Sequence, residues 1–258
     1  MLEKLKILKI NLLAAYKSSV KPNFNGVFGC VLDGSKENFE LDFYATSAAT
    51  YSTNIEGNSV DFDSSIKYKE HNFKLREKEV VELNNLIKAN ELRQKNELSD
   101  KNLELANKMY GKGFIPLPYL GKYHDRTLSL KDGSELVSMA IEPEFIKLDI
   151  QKSFGDINYL EKDSFSAEEA FYFAAMIHLA FMHIRPFIDG NGRATRLLEK
   201  WSPAKKLGPK AWNIPKEKNY FNNRITCCNN HQLGGNNYVI NYNSSLPFLL
   251  MPPNSLIC

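Results

Sequence analysis

Leu2, Leu5, Leu8 and Leu12 recur at helical spacing and predict an amphipathic first helix within residues 1–20. Pro22, Gly26, Gly29 and Gly34 read as a turn-rich connector over residues 22–34. Residues 36–56, rich in Ala, Ser and Thr, predict a helix ending at Gly57-Asn58. From Ser64 to about Tyr110, Lys, Glu, Leu and Asn dominate and few breakers occur. Helices are expected there, interrupted near Leu98-Ser99-Asp100, where Ser99 or Asp100 caps a new start.

Gly111, Gly113, Pro116 and Pro118 end that stretch, and the period then changes. Thr127 to Leu130 alternates in polarity, Asp132-Gly133 signals a tight turn, and Glu135 to Ile141 returns as a second strand before Pro143 stops it. Ser166 to His183 carries the strongest helix pattern. Ser166-x-x-Glu169 forms a capping box, and apolar residues from Phe171 to Met182 lie on every face, so this helix is buried all round. Pro186 ends it, since the residue before a proline is pushed out of the α region. The run Phe187-Ile188-Asp189-Gly190-Asn191-Gly192 follows, then a helix from about Arg193 that Pro203 is expected to stop. Asn219 to Ser245 reads as loop and short helix, and the apolar Leu246 to Pro253 as packing. The expectation is an all-α fold with one β-hairpin, in three regions: helical residues 1–110, a core at 111–230, and 231–258, to which no role is assigned.

Composition narrows the classes. Of 258 residues, 43% are hydrophobic and 24% charged, an ordinary globular balance with enough chain for a sizeable core. The net charge of +3 is too small to argue for nucleic acid or an anionic membrane, so any phosphate site must be local. No apolar run has the length of a membrane span, and the patch Leu12 to Ala15 is too short for a signal core. Cys30, Cys227, Cys228 and Cys258 fit neither a disulfide framework nor a zinc site. Free thiols in a cytoplasmic protein are expected.

The chemistry concentrates at Asp189 to Arg196. Gly190 and Gly192 let backbone N–H groups point into one concavity, and the helix start behind them favours an anion. Arg193 and Arg196 lie three apart on the first turn, and guanidinium forks match phosphate oxygens. Asp189 supplies the hard oxygen that Mg²⁺ takes when phosphates provide its other ligands. Asp-Gly and Asn-Gly are also common turn dipeptides, and two arginines opening a helix suit a solvated face. The turn alone leaves both readings open.

The run Pro186 to Arg196 resembles the Fic motif, H-P-F-x-D/E-G-N-G-R-x-x-R, from its second position to its last. Far upstream, Ser52-Thr53-Asn54-Ile55-Glu56-Gly57-Asn58 resembles the inhibitory motif S/T-x-x-x-E-G/N of one class of that family. The resemblance covers about residues 40–230 and makes 111–230 the Fic core. It implies a protein adenylyltransferase that moves AMP from ATP, with Mg²⁺, onto a protein hydroxyl. Asp189 would hold the metal, while Gly190, Asn191 and Gly192 would bind phosphate oxygens. Arg193 and Arg196 would neutralise the phosphate tail, Glu56 would pair with Arg196 and block the γ-phosphate, and the hairpin would be the flap that docks a target protein. A homo-oligomer is left open.

The family's catalytic histidine is replaced by Arg185. Arginine has no acceptor and effectively never deprotonates, so it cannot take a proton from the attacking hydroxyl. His183, two positions earlier, is expected to face elsewhere, and His178 to be a satisfied core residue. Ser202-Pro203 and Cys227-Cys228 stand where the family has an apolar residue and two tyrosines. Three functions follow from the resemblance: an autoinhibited and impaired adenylyltransferase, a non-catalytic ATP- and Mg²⁺-binding module that engages a protein partner, or a de-AMPylase using Glu56.

Overall fold

The computed structural model describes residues 4–21, 24–33, 37–71, 74, 76–132, 135–233 and 242–256. In chain order the described elements are α1 (Leu13–Ser19), α2 (Phe24–Asp33), α3 (Glu37–Ile55), α4 (Phe62–His71), α5 (Glu77–Lys95), α6 (Asp100–Tyr110), β1 (Ser129–Asp132), β2 (Glu135–Met139), α7 (Pro143–Glu161), α8 (Ala167–Ile184), α9 (Asn191–Leu207), α10 (Lys216–Asn222), α11 (Arg224–Leu233), α12 (Leu246–Leu249) and α13 (Met251–Asn254). Helix dominates. Among the described residues, none of the helices is long and apolar enough to cross a membrane.

α8 is the axis of the core. Ser166 accepts the Glu169 N–H while the Glu169 carboxylate accepts the Ser166 N–H, so the capping box starts the helix. Every residue from Ala170 to Phe181 is buried. α9 packs along it, with α1, α2, α7, α12 and α13 around the remaining faces. A helix that is apolar on all sides can only be stable when enclosed this way.

Three local expectations are overturned, each by a tertiary contact. The predicted first helix shrinks to Leu13–Ser19. The Asp156 carboxylate on α7 accepts the backbone N–H groups of Lys6, Ile7 and Leu8, and the Tyr172 and Tyr242 hydroxyls donate to the carbonyls of Lys9 and Ile7. A backbone satisfied by distant side chains has no need of helical bonds. The expected connector at 22–34 is helical over Phe24–Asp33, because Phe24 and Phe28, four apart, both meet the Phe171 ring edge-on. α9 does not stop at Pro203 but continues to Leu207. Proline leaves the carbonyl four residues back without its helical donor, here that of Glu199. The Lys216 ammonium donates to that carbonyl at 2.6 Å.

α7 was not foreseen. Pro143 stops the preceding strand but also sits in the first turn of α7, where its missing N–H is no loss. β1 and β2 pair antiparallel, Ser129 with Met139 and Asp132 with Glu135, with a register shift between Leu130 and Lys131. Gly133 and Ser134, the predicted turn, lie outside the described residues. Ser99 caps α6 by accepting the Asn102 N–H.

Candidate anion-binding site

α8 ends in a left-handed residue, Arg185 (φ 48°, ψ 61°), the one non-glycine with positive φ among the described residues. Pro186 forbids another turn, and the chain reverses through Phe187 to Gly192 into α9. Such backbone states cost energy and persist where surrounding contacts over-determine them. The contacts are plain. The Asn191 side chain grips the Phe187 backbone twice, accepting its N–H at 2.9 Å and donating to its carbonyl at 2.6 Å. From α6, Asn107 donates to the Asp189 carbonyl at 3.2 Å and the Tyr110 hydroxyl to the Gly190 carbonyl at 3.0 Å. The His124 N–H reaches the Pro186 carbonyl at 2.9 Å.

Gly190 needs its freedom. Its φ is +79°, and a Cβ there would lie 2.6 Å from Tyr110 Cε2. Gly190→Ala is therefore expected to lower stability by about 1–3 kcal/mol and shift thermal unfolding downward, measured by calorimetry. An unchanged melting temperature would contradict the clamp.

The turn borders a cavity of about 440 Å³. Ile188, Asp189, Gly190, Asn191 and Gly192 form one side, and Met182, Arg185 and His178 of α8 the floor. Ile55 and Glu56 close it from α3, and Arg196 from α9. Tyr220 of α10 and Arg224, Cys227, Cys228 and His231 of α11 line the far wall, with Leu128 and Ser129 of the hairpin at the rim.

The sequence-predicted residues divide here. Arg185, Asp189, Gly190, Asn191, Gly192, Arg196 and Glu56 all face this cavity. Arg196 is held by three contacts: Nε donates to Ser52 Oγ at 2.8 Å, and Nη2 to the Ser52 carbonyl at 3.1 Å and to Glu56 Oε1 at 2.5 Å. Arg193 does not face the cavity. It is buried beneath the turn, bonded to Glu82 at 2.9 Å and lying over the Tyr110 ring, with Asp189 3.9 Å away. Gly57 (φ +100°) ends α3, and Asn58 bonds to the Glu79 carbonyl and the Glu82 carboxylate, so neither lines the cavity. The Asn191 amide, spent on Phe187, is occupied by its own turn.

Asn107, Tyr110, Glu82 and Arg224 were not singled out from the sequence. Asn107 and Tyr110 share a helix face three residues apart, but nothing in α6 signals a partner some 80 residues away. Arg224 opens α11 without any motif around it.

Electrostatics set the charge states. Burial pushes the Glu56 carboxyl up, but the Arg196 charge and hydrogen bond, helped by Arg193 and Arg224, bring it below its ordinary value. Burial lowers Arg185, which stays a cation because guanidinium starts so high. His231 is pushed down to about 3 by burial and by His183, His178 and Arg185, so it is neutral at pH 7. It stacks on His183 with ring centres 5.1 Å apart. His183 is buried and turned from the cavity, and His178 meets Glu199 at 2.8 Å. Burial pushes the Cys227 thiol up to about 12, so it is no nucleophile.

Among the described residues, no three His, Cys, Asp or Glu side chains form a metal cluster. A Mg²⁺ ion that takes most of its ligands from phosphates and water needs only one carboxylate. Asp189 has Oδ1 on the Gly190 N–H and Oδ2 3.9 Å from the Arg193 guanidinium, yet its side chain is 61% exposed, which leaves the carboxylate room for a further ligand and fits that donor set.

Residues 75–202 match the Fic/DOC family. No curated protein matches the sequence. Among solved structures, a Fic family protein from Desulfovibrio desulfuricans superposes with a TM-score of 0.73 at 17% identity, covering 92% of this chain and 73% of that one. A Fic domain-containing signaling protein from Bacteroides thetaiotaomicron gives 0.63 at 19% identity, covering 95% and 93%. Fic-1 from C. elegans (residues 134–508) gives 0.67 at 15% identity, covering 95% and 71%. Residues 75–202 are thus similar to the Fic/DOC family, and the fold around them is shared with solved Fic proteins.

Proposed function

We propose that this chain is an adenylyltransferase-type Fic protein that binds Mg-ATP in the cavity, is locked by Glu56 and is impaired at the chemical step by Arg185. The observation that carries the proposal is the 2.5 Å contact between Glu56 and Arg196 in the wall of that cavity, beside Gly192. A carboxylate on a guanidinium fork competes with phosphate for the same donors. The room is tight: a Cβ at Gly192 would lie 2.5 Å from Glu56 Oε1.

In AMP transfer a protein hydroxyl oxygen bonds to the α-phosphorus, the bond to the departing pyrophosphate breaks, and the hydroxyl proton must go to a base. Asp189 would hold Mg²⁺, which when bound offsets phosphate charge. Turn N–H groups and Arg196 would hold the phosphate oxygens, and strand addition at β1 or β2 would dock a partner. Arg185 can steady an anion but accepts no proton.

Glu56→Gly is expected to tighten Mg-ATP binding about 10–100-fold, the range of a charge-assisted hydrogen bond (~1.5–3 kcal/mol), measured by titration calorimetry. Because the Glu56 carboxyl lies below its ordinary value, the lock holds above the usual carboxylate range, near ~4.3, and fails only as pH falls through the depressed value. The gap between variant and wild type should therefore stay constant from neutral pH down to about 5. An affinity unchanged by Glu56→Gly would remove the lock from the proposal.

A second reading has its own support. A cation that faces the cavity at the position of the missing base favours retention of a polyanion over turnover, as a nucleotide-binding module would. Transfer by the native chain would exclude it.

A further inference from the structure

The lock at Glu56 leaves one cation of the cavity floor unengaged. Arg196 is held by Ser52 and Glu56, and the Asn191 amide by Phe187. Arg185 differs. Its Nε donates to the Met182 carbonyl at 3.1 Å, while its terminal nitrogens meet no acceptor among the described residues. The side chain is half-buried and lines the cavity. A guanidinium drawn out of water needs acceptors, and a phosphate oxygen pair matches its fork. The surroundings agree: burial, His183, His178 and Arg185 together push His231, also lining the cavity, down to about 3, the mark of a positive field.

The rest of the cavity describes the remainder of the ligand. At about 440 Å³ it is far larger than a phosphate ion needs, and Ile55, Met182, Ile188, Tyr220 and Phe248 give it an apolar lining. A few polar groups set in an apolar wall suit an organic ligand of nucleoside size. The lock selects among such ligands. Glu56 competes with the tail of a triphosphate for Arg196, but a single phosphate group on Arg185 has no need of Arg196. We infer that the locked chain is a receptor for a nucleoside monophosphate, its phosphate on the Arg185 fork and its nucleoside against the apolar walls, with neither Mg²⁺ nor release of Glu56 required. The nucleoside half of this inference rests on the proposed function, whereas the phosphate seat rests on Arg185 itself. Both ligands fill one cavity, so the monophosphate would also compete with Mg-ATP once the lock is open.

Titration calorimetry of the full chain with AMP, in chelator and without Mg²⁺, tests the inference. AMP should bind the native chain, with adenosine and inorganic phosphate each about tenfold weaker or more, since each supplies only part of the contacts. Asparagine tolerates the left-handed backbone of position 185. Arg185→Asn should weaken AMP about 10–100-fold and leave adenosine within about threefold, a separation that a merely structural role for Arg185 would not produce. Arg185→Lys, which returns the charge without the fork, should recover part of the loss. Glu56→Gly should move AMP by less than about threefold while it tightens Mg-ATP. No AMP binding by the native chain, or equal AMP affinity after Arg185→Asn, would overturn the seat. Inorganic phosphate bound as tightly as AMP would overturn the nucleoside half. AMP that tightens with Glu56→Gly as much as Mg-ATP does would overturn independence from the lock. If AMP binds the native chain and Mg-ATP fails to bind the Glu56→Gly chain, the proposed function falls and the seat stands.

Discussion

Arg185→His combined with Glu56→Gly is expected to raise AMP transfer onto protein roughly 10²–10⁴-fold above Glu56→Gly alone, the usual contribution of a general base. Intact-mass spectrometry after incubation with Mg²⁺ and ATP reads the added AMP. Position 185 closes α8 with φ 48°, a region that histidine enters more readily than most side chains, so the exchange should leave the turn in place. The residue faces the cavity beside Asp189 and Asn191, where a neutral imidazole nitrogen could accept the hydroxyl proton. The other imidazoles offer no substitute: His178 is engaged with Glu199, His183 is stacked on His231 and does not line the cavity, and His231, pushed down to about 3, is too weak a base to take the proton. Equal labelling of the single and double variants would show that position 185 has no part in proton transfer. Label on the native chain would show that a base exists elsewhere.

Lys216→Met is expected to cost about 3–5 kcal/mol, the range for removing one member of a buried ionic contact. Equilibrium urea unfolding measures it through the midpoint at constant slope. Lys216 is 1% exposed, donates to the Glu199 carbonyl that Pro203 leaves without a helical donor, and supplies the charge that most lowers the Glu199 carboxyl. Glu199 in turn binds His178 and the Tyr220 hydroxyl at the cavity wall. Pro203→Ala restores a backbone donor to the same carbonyl, so adding it to Lys216→Met should recover part of the loss, about 1–3 kcal/mol. Strict additivity of the two changes would show that the ammonium and the proline do not share that carbonyl.

Pro203 shows where local reading ends. The rule that proline stops a helix assumes the freed carbonyl goes unsatisfied, and nothing near residue 203 announces a lysine thirteen positions later. Asp156 and the first leucines teach the same lesson in reverse. Their helical spacing is real, yet a carboxylate from α7 takes the N–H groups that a helix would have used.

What the chain itself determined is what depends on near neighbours in sequence. The capping box at Ser166 and Glu169, the all-round apolar run after it, the break at Pro186 and the glycines of the reversal each act through a few adjacent residues. The motif positions from Arg185 to Arg196 follow from that reversal. What only the tertiary structure decided is which donors and acceptors meet across long separations. Arg196 faces Glu56 while Arg193, three residues before it, turns beneath the turn to Glu82 and Tyr110. Both arginines carry the same charge on the same helix, and which carboxylate each one meets, Glu56 or Glu82, rests on where α3, α5 and α6 pack. Burial makes that choice strong, because a guanidinium taken out of water must find its acceptors within the fold.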